Sequence, residues 1–154
     1  MRRLRYCVAH PLTRRYAQKR NMEHCMSRDV IQAVINLVPE LTDFGIGIYE
    51  NGRGLDNVQK KAEFDKNQSM LLDSTESFEK AVAWLKQVEK IKSFNTHRSS
   101  YGLKHLAEKE IGYITNGVFI AAAIHSGFKY KINPDSPNVR FNMSEKSLKN
   151  LEKA

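Results

Sequence analysis

The side chains of this sequence best suited to metal or acid–base chemistry are His105 and Glu108. They lie one helical turn apart if the surrounding residues form a helix, so both would project from the same face. A metal site needs three or four convergent ligands, and nothing in the sequence brings His97 or another donor to this pair. We therefore expect no metal site and no cofactor. A metal-dependent enzyme using His97, His105 and Glu108 remains a minor alternative.

Four glycines between residues 45 and 54 are a second candidate, because glycine-rich loops can bind phosphate. The segment lacks the Gly-Lys-Ser/Thr of a P-loop, and its spacing differs from the dinucleotide-binding fingerprint. A short strand followed by a tight glycine turn is the simpler interpretation. No Ser/His/Asp or Cys/His arrangement has local support. We expect that the protein is not an enzyme.

A third candidate is a group of cations near the carboxyl terminus. Apolar and basic residues alternate over 128–132 and again over 139–143, with turn-forming residues between them. This pattern predicts a β-hairpin with one apolar and one basic face. Such a ribbon can contact nucleic acid, although lysine on an edge strand can also simply discourage aggregation. The cations are Lys129, Lys131 and Arg140.

The overall composition is that of one basic globular domain. The 154 residues include 25 Lys and Arg against 17 Asp and Glu, a formal net charge of +8, and 41% are hydrophobic. This is enough for a packed core and excludes a fully disordered chain or a disulfide scaffold. No apolar run approaches the roughly 20 residues needed to span a bilayer. We expect a cytoplasmic protein without a membrane partner.

The positive charge is concentrated at the two ends, and most strongly in residues 1–25, which hold seven basic side chains and one acidic. Three interpretations stay open: an arm that contacts phosphate, an organelle transit peptide, and an upstream extension preceding a start at Met22 or Met26. The cysteines Cys7 and Cys25 also lie here and are expected to be free thiols. The arginines proposed to contact phosphate are Arg2, Arg3, Arg5, Arg14 and Arg15.

Hydrophobic periodicity and capping residues predict the elements that would position these groups. We expect a helix starting at Ser27, a short strand around 44–48, a polar helix at best over 55–66 and an extended piece at 70–72. A long amphipathic helix over 75–92, capped by Asp73, would carry Trp84 at the edge of its buried stripe. A helix over 100–111 is predicted to end at Gly112, and a helix over 116–126 is predicted to be capped by Thr115 or Asn116 and to end at Gly127. The hairpin follows, and Ser144 caps a last helix.

The order of these elements resembles the winged helix-turn-helix class of DNA-binding domains over residues 75–143. In that class the second of two paired helices enters the major groove and the hairpin touches the DNA backbone. Residues 116–126 are apolar all round, which is typical of a buried helix and not of one that contacts bases. We therefore place the nucleic-acid contact on the hairpin.

The sequence thus predicts a predominantly helical α+β protein, with a C-terminal β-hairpin after a helix pair. Residues 1–26 form a basic arm or extension, and residues 27–154 form one compact domain. Our first hypothesis is a non-enzymatic nucleic-acid-binding accessory or regulatory protein, with DNA as the expected partner. The alternative is a protein-binding module, such as an inhibitor or adaptor that docks on a larger protein or nucleoprotein complex. Exposure of Phe119, Ile120 and Ile124 would favour the alternative.

Overall fold

The computed structural model describes the backbone of residues 11–154 and the side chains from residue 16 onward. This part of the chain is predominantly helical, and the predicted α+β class is confirmed. Its elements are α1 (Pro11–Leu37), β1 (Leu41–Thr42), β2 (Gly45–Ile46), α2 (Asn57–Asp73), α3 (Thr75–Leu85), α4 (Ser100–Ile111), α5 (Asn116–His125), β3 (Tyr130–Ile132), β4 (Val139–Phe141) and α6 (Glu145–Lys153).

Helix α5 is the centre of the hydrophobic core. Every residue from Asn116 to Ile124 is buried, and the helix packs against α1, α3 and α4. The Phe119 ring packs against those of Trp84 and Phe141, with centroid separations of 6.2 and 6.3 Å. Trp84 is fully buried, so its predicted place at the edge of the stripe is wrong.

Helix α1 begins well before the residue at which we predicted it. It starts at Pro11, where the fixed φ of proline suits the first helical position. The predicted cap at Ser27 is wrong, because this residue lies inside the helix and its hydroxyl donates a hydrogen bond to Glu79. Residues 16–26 are exposed, whereas Ile31 and Val34 enter the core. The arm and the domain therefore share one continuous helix.

Helix α2 occupies a region where we predicted only a short polar helix and an extended piece. Asp56 accepts a hydrogen bond from the Gln59 amide at 2.8 Å, and the Gln59 side chain accepts one from the Asp56 amide at 3.0 Å. This reciprocal capping box fixes the first turn. Leu71 is the one residue of the helix that is fully buried, so α2 carries no broad apolar stripe.

Helix α3 is shorter than the predicted helix over 75–92. Its N-cap is Ser74, because Asp73 belongs to α2, and the predicted cap at Asp73 is therefore wrong. The helix ends at Leu85, and the chain continues as irregular backbone in which Lys90 forms an isolated antiparallel bridge with Met143. The predicted stripe holds as far as Val88, which is buried, but Ile91 is exposed.

Two small antiparallel hairpins complete the fold. The first, β1–β2, pairs Leu41 with Ile46 and covers only part of the predicted strand at 44–48. The second, β3–β4, is the predicted C-terminal hairpin and pairs Lys131 with Arg140. Gly112 ends α4 at φ 82°, as its sequence position predicts. In the part of the chain that the structure describes, no helix is long and apolar enough to cross a membrane.

Candidate nucleic-acid interface

The C-terminal hairpin brings two of the predicted cations directly opposite each other. Lys131 on β3 faces Arg140 on β4, and residues opposite in an antiparallel pair project from the same face. Lys129 lies two residues before Lys131 and shares that face through the strand alternation. All three are exposed. Among the described residues no carboxylate lies within ion-pair distance of any of the three.

Lys131 and Arg140 line a groove of about 500 Å³, which we call the hairpin groove. Its remaining walls come from the turn between the strands and from the start of α4, and none of its lining residues is acidic. Lys129 is not part of the lining. Two uncompensated cations in a polar groove favour an anionic group such as a phosphate. The polar lining residues are Ser99, Asn133, Ser136 and Asn138.

The Arg140 side chain is held in place by a contact with the segment that precedes α4. Its Nη1 donates to the Thr96 carbonyl oxygen at 2.7 Å. That segment is itself folded around Asn95, whose side-chain oxygen accepts hydrogen bonds from the His97 and Arg98 amides at 2.8 and 3.2 Å. A guanidinium has five N–H donors, so positioning Arg140 leaves most of them for a ligand.

The N-terminus of α4 adds to the positive potential of the groove. Ser99 is the N-cap of this 12-residue helix, and its side chain makes no capping hydrogen bond. The Ser100 hydroxyl accepts a hydrogen bond from the Val139 amide at 3.0 Å and so fixes the helix start against β4. The amino end of a helix carries partial positive charge that favours anions. The helix end and both cations thus act on the same groove.

Helix α5, the second of the paired helices, offers no surface to a base edge. Phe119 and Ile120 are 0% exposed and Ile124 is 9% exposed. The expectation that this apolar helix is buried is confirmed. Its burial removes the observation that would have favoured the protein-binding alternative.

The predicted His105–Glu108 pair forms, but the Glu108 carboxylate is also bonded to other groups of the protein. His105 Nδ1 lies 2.7 Å from Glu108 Oε2, and Lys104 Nζ donates to Glu108 Oε1 at 2.8 Å. Burial raises the pKa of Glu108, but hydrogen bonds from Lys104, the Ile114 amide and His105 outweigh it, and the pKa lies below its usual value. Within the described residues, no three His, Cys, Asp or Glu side chains, His97 included, are grouped as metal ligands would be.

The arginines of the amino-terminal arm are not placed. Arg2, Arg3 and Arg5 lie outside the described residues, and Arg14 and Arg15 lie on α1 with side chains that are also outside them. Beyond these, the exposed part of α1 presents Lys19 and Arg20, of which Lys19 lies 3.8 Å from Glu23.

Comparison with known proteins gives no relative. No family model, curated protein or solved structure matches this chain.

Strand alternation in the sequence identified the hairpin cations, but it did not identify Ser99 and Asn138 as residues of the hairpin groove. Both belong to irregular segments and reach the groove only through tertiary packing, so no periodic signal could have identified them.

Proposed function

We propose that this protein is a non-enzymatic nucleic-acid-binding accessory protein that holds the phosphate backbone, with DNA as the expected partner, through the hairpin groove. The observation that carries the proposal is the pair Lys131–Arg140, which faces one groove without an acidic neighbour in its lining. Lys131 would supply a point charge, and the free N–H groups of Arg140 would bond phosphate oxygens. Contacts of this kind position a protein on nucleic acid without selecting sequence.

The affinity contributed by the groove follows from counterion release. Each neutralised phosphate changes the logarithm of the binding constant by about 0.9 per decade of salt. Two contacts therefore raise the affinity at about 0.15 M salt about 30-fold over the affinity at about 1 M salt, where counterion release contributes nothing. Lys129 and the arm arginines Arg2, Arg3, Arg5, Arg14 and Arg15 would add to this value if they reach the same backbone.

The test is a fluorescence anisotropy titration of a short labelled DNA duplex with the full chain. The double variant Lys131→Gln/Arg140→Gln should bind about 30-fold more weakly than the wild type at about 0.15 M salt. The matched control is Lys66→Gln/Lys86→Gln, which removes two exposed charges outside the hairpin groove and should retain wild-type affinity. Circular dichroism would verify that both variants fold. An equal drop in affinity in the two variants, or no drop in the first, would refute the proposal.

A second candidate function is a module that docks on a larger protein or nucleoprotein complex. The observation that favours it is the exposed half of α1, where Tyr16, Met22 and Met26 are 75%, 63% and 64% exposed. Large apolar side chains on a projecting helix are common at sites of protein association. A pull-down from host lysate with and without nuclease separates the candidates, because nuclease should abolish recovery of a partner held through nucleic acid and leave a directly bound protein in place.

A further inference from the structure

A second cavity, of about 590 Å³, lies where the β1–β2 turn, α2, α4 and the start of α5 meet. We call it the Asp43 cavity. It gathers side chains from parts of the chain that are far apart in sequence. The residues that matter for its chemistry are Asp43, Tyr101, Lys104, Tyr113, Thr115 and Asn116.

Asp43 supplies a buried carboxylate to this cavity. The residue is 7% exposed, and the Thr115 hydroxyl donates to its Oδ1 at 2.8 Å. That is the one hydrogen bond to this carboxylate from the described residues, and none of their cations lies within ion-pair distance of it. Glu145, by contrast, is paired with Arg98 at 3.0 Å. Burial raises the pKa of Asp43, and the hydrogen bond from Thr115 offsets this only in part.

Lys104 does not neutralise Asp43, although it lines the same cavity. Its Nζ donates to Glu108 at 2.8 Å and to the Ile114 carbonyl oxygen at 3.2 Å. Glu108 bonds both Lys104 and His105, the other ionisable side chains of the lining apart from the tyrosines, so Asp43 is the charge of the lining that has no partner among the described residues. The part of the cavity beside Asp43 therefore favours a cation over an anion.

Asn116 adds a buried acceptor without a donor. Its Nδ2 lies 3.3 Å from the Phe44 and Pro137 carbonyl oxygens and 3.1 Å from Asn138 Oδ1, so the amide nitrogen is fully used. Its Oδ1 is buried and has no hydrogen-bond partner among the described residues. A buried polar atom left unsatisfied costs about 1–3 kcal/mol, and because this atom has almost no accessible surface it lies behind the lining of the cavity.

Two tyrosines complete the lining. Tyr101 and Tyr113 are 52% and 79% exposed, and the Lys104 ammonium lies 5.4 and 5.3 Å from their ring centroids. The ring faces turned toward Lys104 already contact this cation, so the exposed remainder of Tyr113 offers apolar surface to a ligand.

We propose that the Asp43 cavity binds an organic cation that carries N–H donors, an alkylammonium or a guanidinium group. The Asp43 carboxylate is the counter-charge, and Tyr113 covers the apolar part of the ligand. A metal ion is a poorer match, because within the described chain no three candidate ligands come together. A free small amine and a Lys or Arg side chain of a peptide share this chemistry.

Isothermal titration calorimetry of the full chain tests the proposal, with agmatine and butylamine as cationic probes and butyrate as the anionic control. The wild type should bind the cations and not butyrate. Asp43→Asn keeps the shape of the side chain and should weaken binding about tenfold or more. Tyr113→Ala alters an exposed residue, so it should fold normally and also bind more weakly. The matched control Asp135→Asn changes an exposed carboxylate outside the cavity and should bind as the wild type does.

Three results would overturn the proposal: no heat of binding with either cation, equal affinity in Asp43→Asn, or equal affinity for butyrate. A capped Ala-Arg-Ala peptide identifies the source of the cation. Tighter binding of the peptide than of agmatine assigns the cavity to a peptide side chain, and the reverse order assigns it to a free amine. These outcomes are independent of DNA binding by the hairpin groove.

Discussion

Gly117 should be the glycine of this fold that is least tolerant of substitution, because α5 touches β1 there. A Cβ at this position would lie 1.9 Å from the Thr42 carbonyl oxygen and 2.8 Å from its carbonyl carbon. Close carbon–oxygen contacts in proteins are about 3.3–3.6 Å. Replacing Gly117 with Ala therefore requires two backbone segments to move apart by about 1.5 Å.

The expected cost exceeds the usual benefit of alanine in a helix. Overpacking costs about 1–3 kcal/mol, and separation of the segments strains two hydrogen bonds to Asp43. These are the bond from the Gly117 amide to the Asp43 carbonyl oxygen at 3.0 Å and that from the Thr115 hydroxyl to its carboxylate at 2.8 Å. At about 1 kcal/mol for each bond, the total is about 3–5 kcal/mol. The intrinsic gain of Gly→Ala is only about 1 kcal/mol.

Urea unfolding followed by the fluorescence of Trp84 measures this difference. Gly102→Ala is the matched control, because Gly102 lies in α4 with no atom within 4 Å of an added Cβ. It should raise the free energy of unfolding by about 0.5–1 kcal/mol, whereas Gly117→Ala, after the gain of about 1 kcal/mol is subtracted, should lower it by about 2–4 kcal/mol. A Gly117→Ala protein within about 1 kcal/mol of the wild type would show that the contact between α5 and β1 is not as close as described.

Three further predictions concern charge and exposure. Hydrogen bonds from Arg98 lower the pKa of Glu145, so its stabilisation is lost as the pH falls through that pKa. Glu145→Gln should cost about 1–2 kcal/mol at pH 7 in urea unfolding, and progressively less as the solution becomes acidic. Burial raises the pKa of Asp43, so the ionised form destabilises the fold as the pH rises. In thermal unfolding, Asp43→Asn should therefore be more stable than the wild type at pH 7, and this difference should shrink toward about pH 4. Cys25 is exposed, so in a Cys7→Ser background a thiol reagent should label it as fast in the native protein as in urea, and slow native labelling would contradict the placement of α1.

The parts of the fold that the sequence predicted are those with strong local signals. Thr115 caps α5 by accepting a hydrogen bond from the Val118 amide at 3.2 Å, and Gly112 and Gly127 end helices with φ of 82°. The apolar run of α5 and the alternation in the hairpin are equally local. Each of these features depends on residues only a few positions apart, which is the range that a single sequence reports.

The second half of α2, where we predicted an extended piece at 70–72, was missed because its stability comes from contacts across the fold. It has almost no apolar stripe, and Gln68 Nε2 lies 3.1 Å from both the Pro39 and Leu41 carbonyl oxygens. The Asp43 amide donates to the Asn67 carbonyl oxygen at 3.1 Å. Contacts between such distant residues leave no periodic pattern in the sequence.

The end of α3 was misplaced for a related reason. The apolar spacing continues past Leu85, but the amides of residues 86–88 bond carbonyl oxygens three residues back, and the backbone then pairs with the segment after β4. The Ile91 amide donates to the Asn142 carbonyl oxygen, and the Ser144 amide donates to the Glu89 carbonyl oxygen, both at 2.9 Å. Periodicity reports which side chains face the core but not which backbone partner satisfies the amides.

The two candidate sites differ in the same way, because one depends on local sequence and the other on contacts between distant segments. Strand alternation was sufficient to place Lys131 and Arg140 on one face of the hairpin. The Asp43 cavity could not be predicted, because Asp43, Lys104 and Asn116 lie in separate segments that meet only when α5 packs against β1. The sequence showed the His105–Glu108 pair but not that Lys104 would share the same carboxylate.

The salt dependence of duplex binding tests the central claim most directly. A plot of the logarithm of the binding constant against the logarithm of the salt concentration should fall for the wild type. For Lys131→Gln/Arg140→Gln it should be shallower by about 2, since each phosphate that the variant no longer neutralises lowers the slope by about one unit. A flat plot for the wild type, or the same slope in both proteins, would contradict phosphate binding by the hairpin groove.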